Sequence, residues 1–235
     1  MSTEGEDGRL PARPQPLPTS TPWPLPAGLH PLGMGAPRDG LLSVPEGAGA
    51  GPLPLIVMLH GATGHARRAL KRLGSLADHA LVLLPDSLGE SWDVLEGGYG
   101  PDIRRLNAAL ERVFAAWPID AARLAIAGFS DGASYALSLG LMNGDLFSHA
   151  LCFSPGFAAP MGLAGRAAFF LSHGTEDEIL PIATCSRRLM PKLERSGYQG
   201  QYMEFPGGHE VTEEVRAAAL AFFLAGREAG AEPES

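Results

Sequence analysis

The most constraining feature of this sequence is the segment 124–132, in which an apolar run ends in a serine flanked by glycines. The run before Ser130 is typical of a buried strand, and the small residues at 133–137 are typical of a helix packed closely on a sheet. Gly128 and Gly132 suit a tight strand-to-helix turn, where larger side chains would clash. A chance match is the alternative, since the chain has 30 glycines, but the flanking pattern favours a strand that presents Ser130 as a nucleophile.

Length, charge and hydropathy limit the partners of the chain. Its 235 residues, 45% of them hydrophobic, suffice for one domain with a substantial core. A formal net charge of −8 disfavours nucleic acid, because phosphates repel an acidic protein. The longest apolar run, 217–225, is about half of the ~18 residues that a membrane span needs. Residues 1–10 lack the pattern of a secretory signal, so a cytoplasmic protein without a membrane span is expected.

Composition divides the chain into three segments. Residues 1–30 are rich in proline, which predicts a flexible extended arm whose end could form a strap on the domain. Residues 31–225 are expected to form the single catalytic domain, and residues 226–235 a polar tail. Strand and helix patterns alternate from residue 53 to residue 225. This alternation predicts an α/β fold with a mostly parallel, doubly wound sheet and helices on both faces.

Hydrophobic periodicity gives the bounds of the expected elements. Strands are predicted at 41–44, as part of a hairpin or edge strand, and at 53–59, 81–84, 123–127, 150–153, 167–171 and 201–205. Helices are predicted at 65–79, 103–117, 132–142, 182–193 and 211–225. Pro191 is expected to kink or end its helix, because it lacks an N–H group. The basic residues of the first helix, Arg67, Arg68, Lys71 and Arg72, are interpreted as a solvated face rather than a binding patch.

The residues that could activate Ser130 also follow predicted strands. A serine hydroxyl needs a base, and that base needs an acid that fixes its tautomer. In this type of fold the order along the chain is serine, acid, histidine. Asp177 and His209 fit that order, and His209 is the only histidine after Asp177. Glu176 and Glu178 are the alternatives for the acid.

Acyl transfer also requires hydrogen-bond donors for the oxyanion that develops on the substrate. The backbone N–H groups of Asp131, directly after the nucleophile, and of Ala62, after the first core strand, are the candidates. His60 and His173 are expected to brace the neighbouring loops rather than to act as bases. The sequence has no set of histidines and carboxylates at metal-ligand spacing, so no metal is expected. The two cysteines, Cys152 and Cys185, are too few for a disulfide framework.

Four motifs in this order resemble the α/β-hydrolase superfamily, and within it the small carboxylesterases of the phospholipase/carboxylesterase type, which are similar to dienelactone hydrolases. The motifs are Leu59-His60-Gly61, Gly128-Phe129-Ser130-Asp131-Gly132, His173-Gly174-Thr175-Glu176-Asp177 and Gly207-Gly208-His209. The resemblance covers residues 40–225. Dienelactone hydrolases have a cysteine where this chain has Ser130, which favours the esterases. The segment Ser91-Trp92-Asp93 resembles the border of the acyl pocket, which makes Trp92 a candidate pocket residue.

The resemblance implies hydrolysis of small-molecule carboxylic esters through an acyl-serine intermediate, without a cofactor. The predicted loop at 154–167 is too short for a large lid, so short to medium acyl chains are expected. A thioesterase or a lysophospholipase with the same triad is the alternative, and so is a non-catalytic binding protein with this fold. The sequence leaves the oligomeric state open, a homodimer included.

Overall fold

In the computed structural model, the described residues are 6–18, 20–35, 38–47 and 50–225. Their strands are β1 (Gly28–Pro31), β2 (Leu41–Val44), β3 (Leu53–Leu59), β4 (Leu81–Leu84), β5 (Ile119–Phe129), β6 (His149–Phe153), β7 (Ala168–Gly174) and β8 (Gly200–Phe205). Their α-helices are α1 (Ala66–Leu73), α2 (Pro101–Ala116), α3 (Asp131–Met142), α4 (Ser186–Arg195) and α5 (Glu213–Leu224). The tail predicted at 226–235 lies outside the described residues.

The eight strands form one sheet in the order β1-β2-β4-β3-β5-β6-β7-β8. The pairs β1–β2 and β2–β4 are antiparallel, and the other five pairs are parallel. The carboxyl ends of β3, β5, β6, β7 and β8 therefore meet at the same edge. Ligand and catalytic sites of open α/β sheets form at this edge. The prediction of a mostly parallel α/β sheet is confirmed.

The core has two layers, one on each face of the sheet. Alternate residues of β3 separate between them, with Leu55, Val57 and Leu59 in one layer and Ile56 and Met58 in the other. This is the period of two that a strand covered on both faces shows. Helices α2, α3 and α4 contribute to the first layer, and α1 and α5 to the second. No helix in the described part of the chain has the length and apolar character needed to cross a membrane.

Two helices differ from their predicted form. The helix expected at 65–79 is split, because α1 ends at Leu73 and a 3-10 turn follows from Gly74, whose φ is 53°. A positive φ of this kind ends regular helix, and glycine adopts it readily. The sequence predicts that Pro191 kinks or ends its helix, but α4 does not end there and continues to Arg195. Burial of Met190 and Leu193 in the core stabilises this helix on both sides of the proline.

Part of the N-terminal segment is packed on the domain. Leu10 is fully buried, and its N–H donates to Asn143 Oδ1 at 2.8 Å, while Asn143 Nδ2 donates to the Gly8 carbonyl at 3.0 Å. Arg9 forms an ion pair with Asp145 at 2.8 Å. The proline content of residues 1–30 predicts flexible chain, but one buried leucine and a satisfied backbone fix this stretch. The prediction of a flexible arm is also wrong further along, because Trp23 Nε1–H donates to the Gly51 carbonyl at 3.2 Å and Gly28–Pro31 forms β1 of the sheet. Leu25, between these two anchors, is 37% exposed.

We predict that Leu10→Ala lowers the free energy of unfolding by roughly 2–5 kcal/mol, because it leaves a cavity in the core. The matched control is Leu25→Ala in the same segment, which should change stability by less than about 0.5 kcal/mol. Urea unfolding followed by circular dichroism measures both values. Equal and small effects of the two substitutions would show that residues 8–12 are not anchored in solution.

Candidate active site

Ser130 occupies a strained turn between β5 and α3. Its φ of 58° and ψ of −122° are unfavourable for a residue with a side chain, a strain of about 1–3 kcal/mol. A Cβ atom on Gly128 would overlap the carbonyl group of Gly132, and a Cβ atom on Gly132 would overlap the carbonyl oxygen of His60. The Ser130 N–H donates to the Phe153 carbonyl at 3.0 Å, which ties the turn to β6. These contacts explain why the turn requires both glycines.

Ser130, His209 and Asp177 lie in hydrogen-bonding contact at the carboxyl ends of β5, β8 and β7. His209 Nε2 is 2.8 Å from Ser130 Oγ, and His209 Nδ1 is 2.6 Å from Asp177 Oδ2. Ser130 and Asp177 are 8% and 5% exposed. Glu176 and Glu178, the alternatives for the acid, have exposed side chains. The structure thus brings the three residues predicted as nucleophile, base and acid into one chain of contacts.

The environment of Asp177 favours its ionised form. Burial by itself would raise the pKa of the carboxyl group, but hydrogen bonds with His209 and with the Leu180 N–H outweigh it and lower the pKa below its ordinary value. Its Oδ1 accepts from the N–H groups of Ile179 and Leu180 at 3.0 and 2.8 Å. The other oxygen therefore remains directed at His209. Such a carboxylate can stabilise an imidazolium on His209.

His173 braces the loop that carries Asp177. Its Nε2 is 2.7 Å from the Leu180 carbonyl and 3.2 Å from Asp177 Oδ2, and its Nδ1 is 2.7 Å from Ser186 Oγ. Burial lowers the pKa of His173, so the ring is neutral. Because a carbonyl can only accept, Nε2 carries the proton and Nδ1 accepts from the Ser186 hydroxyl. The ring is thereby fully used in holding the loop.

The loop after β3 is held in the same way by His60. Its Nε2 accepts from the Ser87 N–H at 3.0 Å, so Nδ1 carries the proton and donates to the Gly61 carbonyl at 2.7 Å. Burial lowers the pKa of His60, in agreement with a neutral ring.

The two proposed oxyanion donors lie beside the nucleophile. Ala62 lines the same pocket as Ser130. Asp131 is the first residue of α3, where backbone N–H groups have no acceptor within the helix. Their role as oxyanion donors stays a prediction.

Trp92 lies in the core rather than on the pocket surface, in contrast to its predicted role. Its side chain is 1% exposed, and its Nε1–H donates to the His60 carbonyl at 2.8 Å. Its ring is stacked on Tyr135 at a centroid distance of 5.2 Å. Tyr135 in turn donates its hydroxyl to Asp93 at 2.7 Å. Trp92 therefore supports the loop of His60 from behind.

A pocket of about 210 Å³ opens beside Ser130 and His209. Four of the larger side chains that line it were not predicted as pocket residues: Arg68, Arg72, Phe129 and Ile179. The described residues contain no group of three or more His, Cys, Asp or Glu side chains arranged to hold a metal ion.

The sequence predicts the basic cluster on α1 as a solvated face, and Arg68 is indeed exposed, but Arg72 is half-buried and both residues line the pocket. The Arg72 guanidinium lies 4.1 Å from the centre of the Phe129 ring, and the Phe129 ring lies 4.6 Å from that of His209. The spacing of four residues between the two arginines was the available signal, since it places both on one face of a helix. Sequence alone does not tell which face of α1 is turned to the pocket.

Comparisons with known proteins identify the family and the fold of this chain. A family model described as Phospholipase/Carboxylesterase matches residues 102–225. Among solved structures, esterase PE8 is 24% identical with a TM-score of 0.65, over 85% of this chain and 99% of that chain. The Bacillus cereus carboxylesterase is 20% identical with a TM-score of 0.63, over 81% and 95%. FphF, a Staphylococcus aureus fluorophosphonate-binding serine hydrolase, is 15% identical with a TM-score of 0.66, over 85% and 99%. A comparison with curated protein sequences gives no match. The structural likeness shows an α/β-hydrolase fold.

We predict that Gly128→Ala lowers the free energy of unfolding by about 3 kcal/mol or more, because its methyl group would overlap the backbone at Gly132. Gly162→Ala is the matched control, since no atom lies within 4 Å of the added Cβ there. Thermal unfolding of the two variants and the wild type measures the difference. A Gly128→Ala variant as stable as the control would contradict the close approach at the turn.

Proposed function

Because this chain belongs to the phospholipase/carboxylesterase family of serine hydrolases, we propose that it cleaves carboxylic esters of short to medium acyl length through an acyl-serine intermediate. One observation carries the proposal. The two ring nitrogens of His209 contact the other two residues, with Nε2 2.8 Å from Ser130 Oγ and Nδ1 2.6 Å from Asp177 Oδ2. A nucleophile, a base and an acid in such contact have the geometry that acyl transfer needs.

In the first half of the proposed reaction, Ser130 Oγ attacks the carbonyl carbon of the ester while His209 Nε2 takes the hydroxyl proton. Asp177 stabilises the imidazolium that forms. The carbonyl oxygen becomes an oxyanion, which the N–H groups of Ala62 and Asp131 bind. Each such donor contributes on the order of 3 kcal/mol to the stability of the transition state.

The intermediate then collapses and the bond between the carbonyl carbon and the alcohol oxygen breaks. The alcohol leaves with the proton from His209 Nε2, and Ser130 remains acylated. In the second half, His209 takes a proton from water as the water oxygen attacks the acyl-serine. The carboxylic acid leaves, and the proton returns from His209 to Ser130 Oγ.

The dimensions of the site support the preference for short to medium acyl chains. The pocket volume of about 210 Å³ lies below the roughly 300–1,000 Å³ of typical pockets for drug-sized ligands. The connection between β6 and β7, residues 154–167, contains no helix that could close over the site. A small pocket that no helix of this connection covers suits a substrate that is small and soluble.

We predict that a fluorophosphonate probe labels the wild-type protein and not Ser130→Ala, because only an activated serine oxygen attacks the probe phosphorus. The wild type should also hydrolyse p-nitrophenyl esters, with its highest kcat/KM among the shorter members of a series from acetate to palmitate, and Ser130→Ala should not. Gel fluorescence and release of p-nitrophenol measure the two results. No labelling of the folded wild type would overturn the proposed function, and a maximum at palmitate would overturn the acyl preference alone.

We further predict that His209→Ala and Asp177→Asn lower kcat by roughly 10³- to 10⁴-fold with the fold intact, because the serine loses its base or the base loses its tautomer. Glu178→Gln is the matched control for the acid, since it neutralises an exposed carboxylate one residue away. It should retain full turnover. If Asp177→Asn retains full turnover instead, the acid has to be reassigned to Glu176 or Glu178.

A further inference from the structure

We propose that the pocket beside Ser130 recognises esters that carry an anionic group, a carboxylate or a phosphate, and that Arg68 and Arg72 bind this group. The inference rests on the proposed esterase function of the same site and narrows its substrate class. It concerns which ester is bound, whereas the triad concerns how the ester is cleaved.

The first support is the position of the two arginines. Both lie on α1, four residues apart, and so project from the same side of the helix. Both line the pocket that contains Ser130 and His209. The Arg72 guanidinium is stacked on Phe129, which itself contacts the ring of His209. A group bound to these arginines would therefore lie in the same pocket as the Ser130 hydroxyl, so one small ester could contact both.

The second support is that their charge is not neutralised by the protein. Among the described residues, neither Arg68 nor Arg72 forms an ion pair. Five other arginines are paired with carboxylates: Arg9, Arg13, Arg123, Arg187 and Arg216. Arg72 is partly buried, which is unfavourable for an unpaired charge. An anion in the pocket would remove this cost.

The balance of charge around Arg72 agrees with this assignment. Burial lowers its pKa, and the nearby positive charges of Arg68 and Arg216 act in the same direction. Glu210 acts in the opposite direction, from beyond ion-pair distance. Arg216 is already paired with Glu213 at 2.8 Å. An arginine remains protonated under these conditions, so Arg72 keeps a charge available for a ligand.

The third support is that the charge of the pocket lining is opposite in sign to the net charge of the whole chain. The chain has a formal net charge of −8, yet the pocket lining contains two arginines and no aspartate or glutamate. A positive pocket in an acidic protein attracts anions locally, because its low-dielectric walls focus the field. A neutral ester could accept hydrogen bonds from the two guanidinium groups, but it would leave their positive charge uncompensated. A guanidinium binds a carboxylate or a phosphate in matching geometry.

The test compares each anionic ester with a neutral ester of similar size. The measured quantity is the kcat/KM of the anionic ester divided by that of the neutral ester, after the rate of spontaneous hydrolysis has been subtracted from each. Mono-p-nitrophenyl succinate against p-nitrophenyl butyrate places a carboxylate on the acyl side. 4-Acetoxybenzoate and 4-acetoxyphenyl phosphate, each against phenyl acetate, place a carboxylate or a phosphate on the alcohol side. The wild type should prefer at least one of the anionic esters, and the preferred pair identifies the anion and its side.

Arg72→Gln should lower the anionic-to-neutral ratio of the preferred pair by about tenfold, the typical value of a hydrogen bond to a charged group. Arg68→Gln should lower it by about threefold, because Arg68 is more exposed and more screened. Arg72→Lys should retain most of the preference, since it keeps the charge. The matched control is Arg67→Gln, which removes the same charge from a residue of α1 that lines a different cavity, and it should leave the ratio unchanged.

The outcomes separate this inference from the proposed function. If the wild type hydrolyses no ester, the esterase proposal itself fails. If the wild type cleaves neutral esters and the ratio is the same in Arg72→Gln, Arg68→Gln and Arg67→Gln, the inference alone is overturned. A parallel loss on both members of each pair assigns Arg72 a structural role at Phe129 and also overturns it. Added sodium chloride gives an independent check on the wild type, because it should lower kcat/KM for the anionic ester only.

Discussion

The site depends on two places where one backbone segment lies directly on another with no side chain between them. At the first, Gly132 lets the turn of Ser130 lie against the carbonyl groups at the end of β3, and Gly128 lies against the carbonyl group of Gly132. At the second, Gly174 at the end of β7 lies against the carbonyl groups of Gly207 and Gly208 after β8. The first contact sets the nucleophile beside the proposed oxyanion loop. The second sets the proposed acid beside the proposed base, so the geometry of the whole site follows from backbone packing.

Histidines then fix the loops that these contacts bring together. His60 and His173 are buried and neutral, and each uses both ring nitrogens in hydrogen bonds. One bond of each ring stays in its own loop, to Gly61 or Leu180, and the other reaches a neighbouring segment, at Ser87 or Ser186. A neutral ring of this kind acts as a bridge between one donor and one acceptor. His173 also faces a hydroxyl, that of Ser186, and lies 3.2 Å from Asp177, but these contacts are buried inside the domain. His209 differs because it contacts Asp177 more closely, at 2.6 Å, and because its hydroxyl partner is Ser130, which lines the pocket. That difference suits proton transfer, whereas the other two rings are suited to support.

The sequence predicted those parts of the molecule that are set by local pattern and by strand topology. The apolar run of β3 favours a strand covered on both faces, and the carboxyl ends of parallel strands must meet at one edge. For that reason Ser130, Asp177 and His209 could be selected before their distances were known. Contacts between residues that lie far apart in the sequence could not be predicted in this way. The packing of Leu10 against Asn143 joins residues 133 positions apart, and the tryptophan of Ser91-Trp92-Asp93 is turned inward by Tyr135.

The residues proposed for catalysis and the residues proposed for substrate binding lie on different elements of the fold. The proposed triad is carried by strand ends that the sheet holds rigidly. The two arginines are carried by α1, which packs on the sheet through the buried residues Ala66, Ala69 and Leu73. Positions 68 and 72 are not among the residues that hold the helix on the sheet. The positive charge of the pocket is therefore a property of one helix face, whereas the proposed triad lies on the strand ends.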